Sequence, residues 1–276
     1  MGCLKAGTEK KIRAGAVYAG TGLYLNEKGV NYMTAQMFLA ELLGTMILII
    51  LGDGVCCNVN LNKSGMKGGG SVQIILGWGL AVLLPAYTFG AISGSHFNPA
   101  VTIGAFVSSA IRGDGSFTAG MVGGYIIAQF IGAILGAMIV FALFHDQFKA
   151  TEDVATKRGV FCTGPSVRNT GLNFLSEFVC GFLLVFTLDG IGNTTSAASG
   201  FSWFLVYAVI VSIGGSLGGL TGYAMNPARD LGPRIAYAML PIPGEKDADW
   251  GYAWIPVVAP VCGGIVAAAA YCAIFG

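Results

Sequence analysis

His96-Phe97-Asn98-Pro99-Ala100-Val101-Thr102 and Tyr223-Ala224-Met225-Asn226-Pro227-Ala228-Arg229-Asp230 are two versions of one signal. In each, Asn stands where a helix N-cap belongs, Pro takes the first helical position and a small Ala follows, a combination that marks a helix start. Both starts lie within apolar sequence, since residues 71–110 and 190–228 contain no Lys, Arg, Asp or Glu. The first N–H groups of a helix have no intrahelical partner and lipid supplies none, so an N-terminus at this depth must line a polar cavity. The pair predicts two half-helices that start inside a membrane and share one polar space.

The chain around them has 276 residues, 54% hydrophobic and only 11% charged, with a mean hydropathy of +0.70. This composition excludes an ordinary soluble domain and describes a polytopic membrane protein. Each charge-free tract is longer than the roughly 20 residues that one crossing helix needs. A net charge of +1 gives no reason to expect a nucleic-acid partner. The seven cysteines, at 3, 56, 57, 162, 180, 262 and 272, show no CxxC and no metal-ligand spacing. They are read as apolar packing or loop thiols, with no metal and no cofactor expected.

Residues 1–33 form a polar N-terminal tail with Lys5, Lys10, Lys11, Arg13 and Lys28. Span one is expected over 34–57, carrying Glu41, and span two over 71–91, with Pro85 tolerated inside it as membrane helices allow. The first half-helix, 98–107, would be about 15 Å long at 1.5 Å per residue, half the depth of the hydrocarbon core. Span three follows over 118–144, where Gly120, Gly124, Ala128, Gly132 and Gly136 make a small-residue stripe for close helix packing. Residues 145–171 read as a long polar loop. Span four, 172–191, carries Glu177; span five covers 201–217; the second half-helix ends near Pro241; and span six covers 252–275.

The order is span, span, half-helix, span, twice over. Three crossings per half is an odd number, so repeat two (172–276) must enter the bilayer inverted relative to repeat one (34–144). The fold class is thus all-α: six transmembrane helices plus two re-entrant half-helices in two inverted repeats. Both termini are read as cytoplasmic at the cell membrane, although six positive charges counted on each side leave the loop tally balanced.

Residues 34–276 resemble the aquaporin and glycerol-facilitator family. Paired Asn-Pro-Ala motifs, the second followed by Arg229, carry the resemblance. It implies a constriction formed by Trp78, Gly214, Tyr223 and Arg229. Two aromatics with a Gly opposite, and Asp230, Arg234 and Pro256-Val257 further on, resemble the glycerol-facilitator branch; Tyr223 departs from the Phe that many bacterial members carry. The resemblance implies a channel for glycerol, related small solutes such as urea and other polyols, and water, set in lipid as a homotetramer with one pore per subunit.

The residues themselves suggest a division of labour. Asn98 and Asn226 would cap their helices through Oδ1 and turn their NH2 groups into the pore, while Pro99, Ala100, Pro227 and Ala228 shape the helix starts. The carbonyls of His96, Phe97, Gly222 and Ala224 are expected along the pore, with Gly214 leaving room for a three-carbon chain. A lone Arg at membrane depth is costly, which makes Arg229 a functional candidate. Asp230 is expected to support the filter. Glu41 and Glu177, at equivalent places in the repeats, would accept buried loop N–H groups, with Gln129 in a similar structural task. Asp53 and His145, near loop ends, are assigned nothing. A water-selective pore and an ion-coupled transporter, which also uses broken helices, are the competing classes. An enzyme is not expected, because no nucleophile-base pair, metal cluster or phosphate loop is visible.

Overall fold

The computed structural model describes residues 31–193 and 201–276. Most of the N-terminal tail and most of the Thr- and Ser-rich connection before span five lie outside these residues. Among the described residues eleven helices follow in order: α1 (Ala35–Asn60), α2 (Gly70–Ser93), α3 (Pro99–Arg112), α4 (Ala119–Leu143), α5 (His145–Ala150), α6 (Val154–Phe161), α7 (Thr170–Gly192), α8 (Ser202–Thr221), α9 (Pro227–Met239), α10 (Trp250–Ala253) and α11 (Ile255–Phe275). Six stretches among the described residues, 35–60, 70–93, 119–143, 170–192, 202–221 and 250–275, are long and apolar enough to cross a membrane. α3 and α9 are the half-helices.

The two halves repeat one packing scheme. α1 lies against α2 and α4, as α7 lies against α8 and α11; each half-helix packs on the last span of the other half, α3 on α11 and α9 on α4. Glycine makes these crossings close. A Cβ at Gly264 would stand 3.0 Å from the Ala100 carbonyl oxygen, and one at Gly232 would stand 2.6 Å from Ala133 Cβ. Gly132 and Gly136 of the predicted stripe on α4 face α1, where a Cβ at Gly136 would meet the Met46 carbonyl oxygen at 2.7 Å. Small residues thus let backbones meet where lipid offers no hydrophobic driving force between helices.

Several boundaries differ from expectation. α3 has 14 residues instead of ten and spans about 21 Å, because nothing breaks its pattern before Gly113. α8 runs to Thr221, beyond the end expected at Leu217, with Gly218 packed against the Tyr223 ring and the left-handed Gly222 ending it. The loop at 145–171 is folded: it holds α5 and α6, with Asp153 capping α6 by accepting from Thr156 N at 2.6 Å. Its anchor is apolar. Phe148 and Phe161 stack with centroids 5.3 Å apart, both fully buried.

Candidate functional site

The loops that enter the half-helices, Gly94–Asn98 and Gly222–Asn226, have the same backbone. Gly94 and Gly222 take φ of 80° and 81°, Ser95 and Tyr223 take 54° and 38°, and Phe97 and Met225 take 49° and 53°. Left-handed backbone at a non-glycine residue costs roughly 1–3 kcal/mol and persists only where the surroundings over-determine it. Two buried carboxylates do so. Glu41 Oε1 accepts from His96 N at 2.9 Å and Ser93 Oγ at 2.7 Å, and Oε2 accepts from Phe97 N and Gln129 Nε2, each at 2.8 Å. Glu177 Oε1 accepts from Ala224 N at 3.0 Å and Thr221 Oγ1 at 2.7 Å, and Oε2 from Met225 N at 3.0 Å. Gln129 Nε2 also donates to Thr102 Oγ1 at 2.9 Å, and Thr102 Oγ1 lies 3.1 Å from His96 Nδ1.

The half-helices meet at their asparagines. Asn98 Oδ1 caps α3 by accepting from Ala100 N at 2.8 Å, and Asn226 Oδ1 caps α9 by accepting from Ala228 N and Arg229 N at 3.0 and 3.1 Å. Their amide groups cross the midplane: Asn98 Nδ2 donates to the Met225 carbonyl at 2.9 Å, and Asn226 Nδ2 to the Phe97 carbonyl at 2.8 Å. Expectation had both amide protons free and Phe97 offering its carbonyl to the pore. Instead one proton of each amide and the carbonyls of Phe97 and Met225 lock the two loops together, because facing N-termini bring donors and carbonyls of opposite loops within reach. One N–H per asparagine is left for a guest. The carbonyls of Gly222 and Ala224 receive no hydrogen bond from the described residues, and both residues line the same cavity.

That cavity has two chemically different walls. Leu48, Val82, Val101, Leu184, Leu188, Val206 and Ile210 form the apolar one; the loops with His96, Asn98, Gly222, Ala224 and Asn226 form the polar one. Trp78, Tyr223 and Arg229 line it as well. The guanidinium carbon of Arg229 lies 3.9 Å from the Trp78 ring centroid, a cation–π contact, and Nη1 donates to the Phe161 carbonyl at 3.2 Å. Nε and Nη2 have no hydrogen-bond partner among the described residues. Gly214 serves the Tyr223 ring: a Cβ there would lie 2.8 Å from Tyr223 Cζ, and one at Gly218 would lie 2.7 Å from Tyr223 Cδ1. The space expected for a guest's carbon chain is partly filled by Tyr223, whose ring settles into the two missing side chains.

Asp230 sits one residue behind Arg229 and faces away from the cavity. Its Oδ2 accepts from Thr163 N and Oγ1, both at 2.7 Å, and its Oδ1 from Arg234 Nε and Nη2 at 2.9 and 2.8 Å. Arg234 continues to the carbonyls of Thr163 and Ala248 at 2.8 and 2.6 Å. This buried network pins the segment that delivers the Phe161 carbonyl to Arg229.

The family model for the major intrinsic proteins matches residues 29–271. The chain belongs to the major intrinsic protein family. Relatives of this major intrinsic protein include a probable glycerol uptake facilitator of Thermotoga maritima, 49% identical over 86% of this chain and 98% of its own, and the glycerol uptake facilitator of Bacillus subtilis, 50% identical over 88% and 85%. Among solved structures, the aquaglyceroporin of Plasmodium falciparum is 30% identical, with a TM-score of 0.72 over 87% of this chain and 96% of that one. This chain is thus a multi-pass membrane protein of a family of transport channels.

Sequence reasoning missed four contributors to the site of this family member. Met225 mirrors Phe97, which aligning the two loops would have revealed. Phe161 and Thr163 come from a segment read as loop, and the buried Phe148/Phe161 pair was the available signal. Asp53 was placed near a loop end, but α1 continues to Asn60, leaving Asp53 seven residues inside it and fully buried.

Proposed function

We propose that this protein is a passive channel for glycerol and related small uncharged solutes, with some water, that excludes ions and protons. The observation that carries the reading is a cavity lined by apolar side chains and by the polar half-helix loops together, with Trp78, Tyr223 and Arg229 in its lining. A polyol is itself two-faced. Its CH groups match the aromatic corner and apolar wall, while its hydroxyls accept from Arg229 Nε and Nη2 and donate to the carbonyls of Gly222 and Ala224.

At the midplane Asn98 and Asn226 spend their oxygens on capping, so they present only N–H donors. A hydroxyl passing there must accept from both, and the two helix N-termini, each worth about +0.5 charge, disfavour cations. The cross-linked loops also favour a channel over an alternating-access transporter. Rocking one repeat against the other would break both Asn-to-carbonyl hydrogen bonds in a buried site.

The resemblance further supports a homotetramer in the cell membrane, both termini cytoplasmic, with urea and other small polyols as additional permeants. Stopped-flow light scattering of proteoliposomes under a glycerol gradient tests the main reading. Fast, non-saturating glycerol flux independent of any ion gradient is expected. Water flux without glycerol flux would select a water-selective pore, and flux tied to an ion gradient would select a transporter.

A further inference from the structure

One turn of α1 forms a second layer behind the proposed filter. Gly52 has no side chain, and a Cβ there would collide with the Trp78 ring. Cys56 Sγ receives the Trp78 indole N–H at 3.4 Å. Between them, Asp53 points at Arg229, with Oδ1 3.7 Å from Nη1.

Asp53 differs from the other buried acids of the pore region. Glu41 and Glu177 are saturated with N–H and O–H donors, whereas neither oxygen of Asp53 has a hydrogen-bond donor among the described residues. It holds no loop in place. The other acid nearby, Asp230, is committed to Arg234 and Thr163. What Asp53 meets is the charge of Arg229, and a buried carboxylate is tolerated only when such a charge compensates it.

We propose that Asp53 is the counter-ion of the filter arginine. On this inference, which rests on reading Trp78, Tyr223 and Arg229 as the filter, the constriction is a balanced ion pair and not an isolated positive charge. Asp53 and the Phe161 carbonyl together hold Nη1, leaving Nε–H and Nη2–H for solute hydroxyls. Asp53 is therefore a positioning and specificity-determining residue that does not touch the solute. Removing either partner exposes the charge of the other to the pore: a lone arginine admits small anions, and a lone carboxylate draws cations in.

The test is a charge cycle in proteoliposomes with wild type, Asp53→Asn, Arg229→Val and the double variant. Glycerol flux is read by light scattering, cation leak with sodium and anion leak with nitrate. Arg229→Val is expected to raise sodium leak at least tenfold, and adding Asp53→Asn to return it to within about twofold of wild type. Asp53→Asn alone is expected to raise nitrate leak and lower glycerol flux severalfold, while Asp53→Glu, which keeps the charge, stays impermeable to nitrate. Sodium leak that persists in the double variant, or Asp53→Asn with wild-type nitrate leak and glycerol flux, overturns the counter-ion role while leaving the filter intact. An Arg229→Val protein with unaltered leak and unaltered glycerol-to-water ratio overturns the filter reading, and the counter-ion role with it.

Discussion

The Tyr223 ring lies on the bare backbone of Gly214, close enough that a Cβ at that position would stand 2.8 Å from Cζ. The aromatic corner of the proposed filter is therefore set by a residue that adds no atoms to it. Gly218, one turn along α8, holds the other edge of the same ring.

Gly214→Ala is expected to push the Tyr223 ring toward the cavity. The narrower cavity should lower glycerol permeability severalfold, and overpacking of this kind also costs about 1–3 kcal/mol of stability. Water, being smaller, should lose less. Paired light-scattering measurements give the ratio, and adding Tyr223→Ala should recover glycerol flux.

Glu177→Ala would leave the N–H groups of Ala224 and Met225 and the Thr221 hydroxyl without their acceptor. With each buried unsatisfied group costing about 1–3 kcal/mol, thermal unfolding in detergent should show a loss of roughly 3 kcal/mol or more. Glu177→Gln keeps one acceptor oxygen and should lose about half as much. Glu41 holds the mirror position, so Glu41→Ala should behave alike.

Asp230→Asn removes the charge opposing Arg234, and both side chains are fully buried. Removing one partner of a buried ion pair typically costs about 3–5 kcal/mol. The Thr163 segment should also loosen from Arg229, so surviving folded protein is expected to pass glycerol more slowly at unchanged sodium leak. Thermal unfolding and flux on the same preparation separate the two effects.

Acid stability should carry a contribution from the turn between α3 and α4. Burial raises the pKa of Asp114, but hydrogen bonds from Arg112, Ser116 and Ser109 outweigh it and bring the value down to about 2. A carboxylate with a depressed folded-state pKa stabilises the fold above its unfolded value of 3.8, and that stability is lost as pH falls toward 2. Unfolding midpoints of wild type and Asp114→Asn should differ at pH 6 and converge near pH 2. The effect should be modest, since the Asp114 side chain is 37% exposed.

The helical class, the six crossings, the two half-helices and the inverted order were legible in the chain because each is written locally. Hydropathy sets span length, Asn-Pro-Ala sets a helix start, and an odd number of crossings sets inversion. Arg229 and the paired asparagines could be named as candidates from the motifs themselves, and Trp78 and Tyr223 through what the family resemblance implies. The partners of these groups could not, because they come from elsewhere in the chain. Asn98 finds Met225 across 127 positions, and Arg229 finds Phe161 across 68. Gly214 was legible as small but not as the bed of Tyr223, and Asp53 was legible as an acid but not as the neighbour of Arg229. A charge or a missing side chain acquires a task only when packing brings another group within a few ångströms, and such distances are fixed by how helices cross. The sequence alone determined that a polar seam runs through an apolar bundle; the tertiary structure decided which hydrogen bonds on that seam are already spent and which remain for a guest.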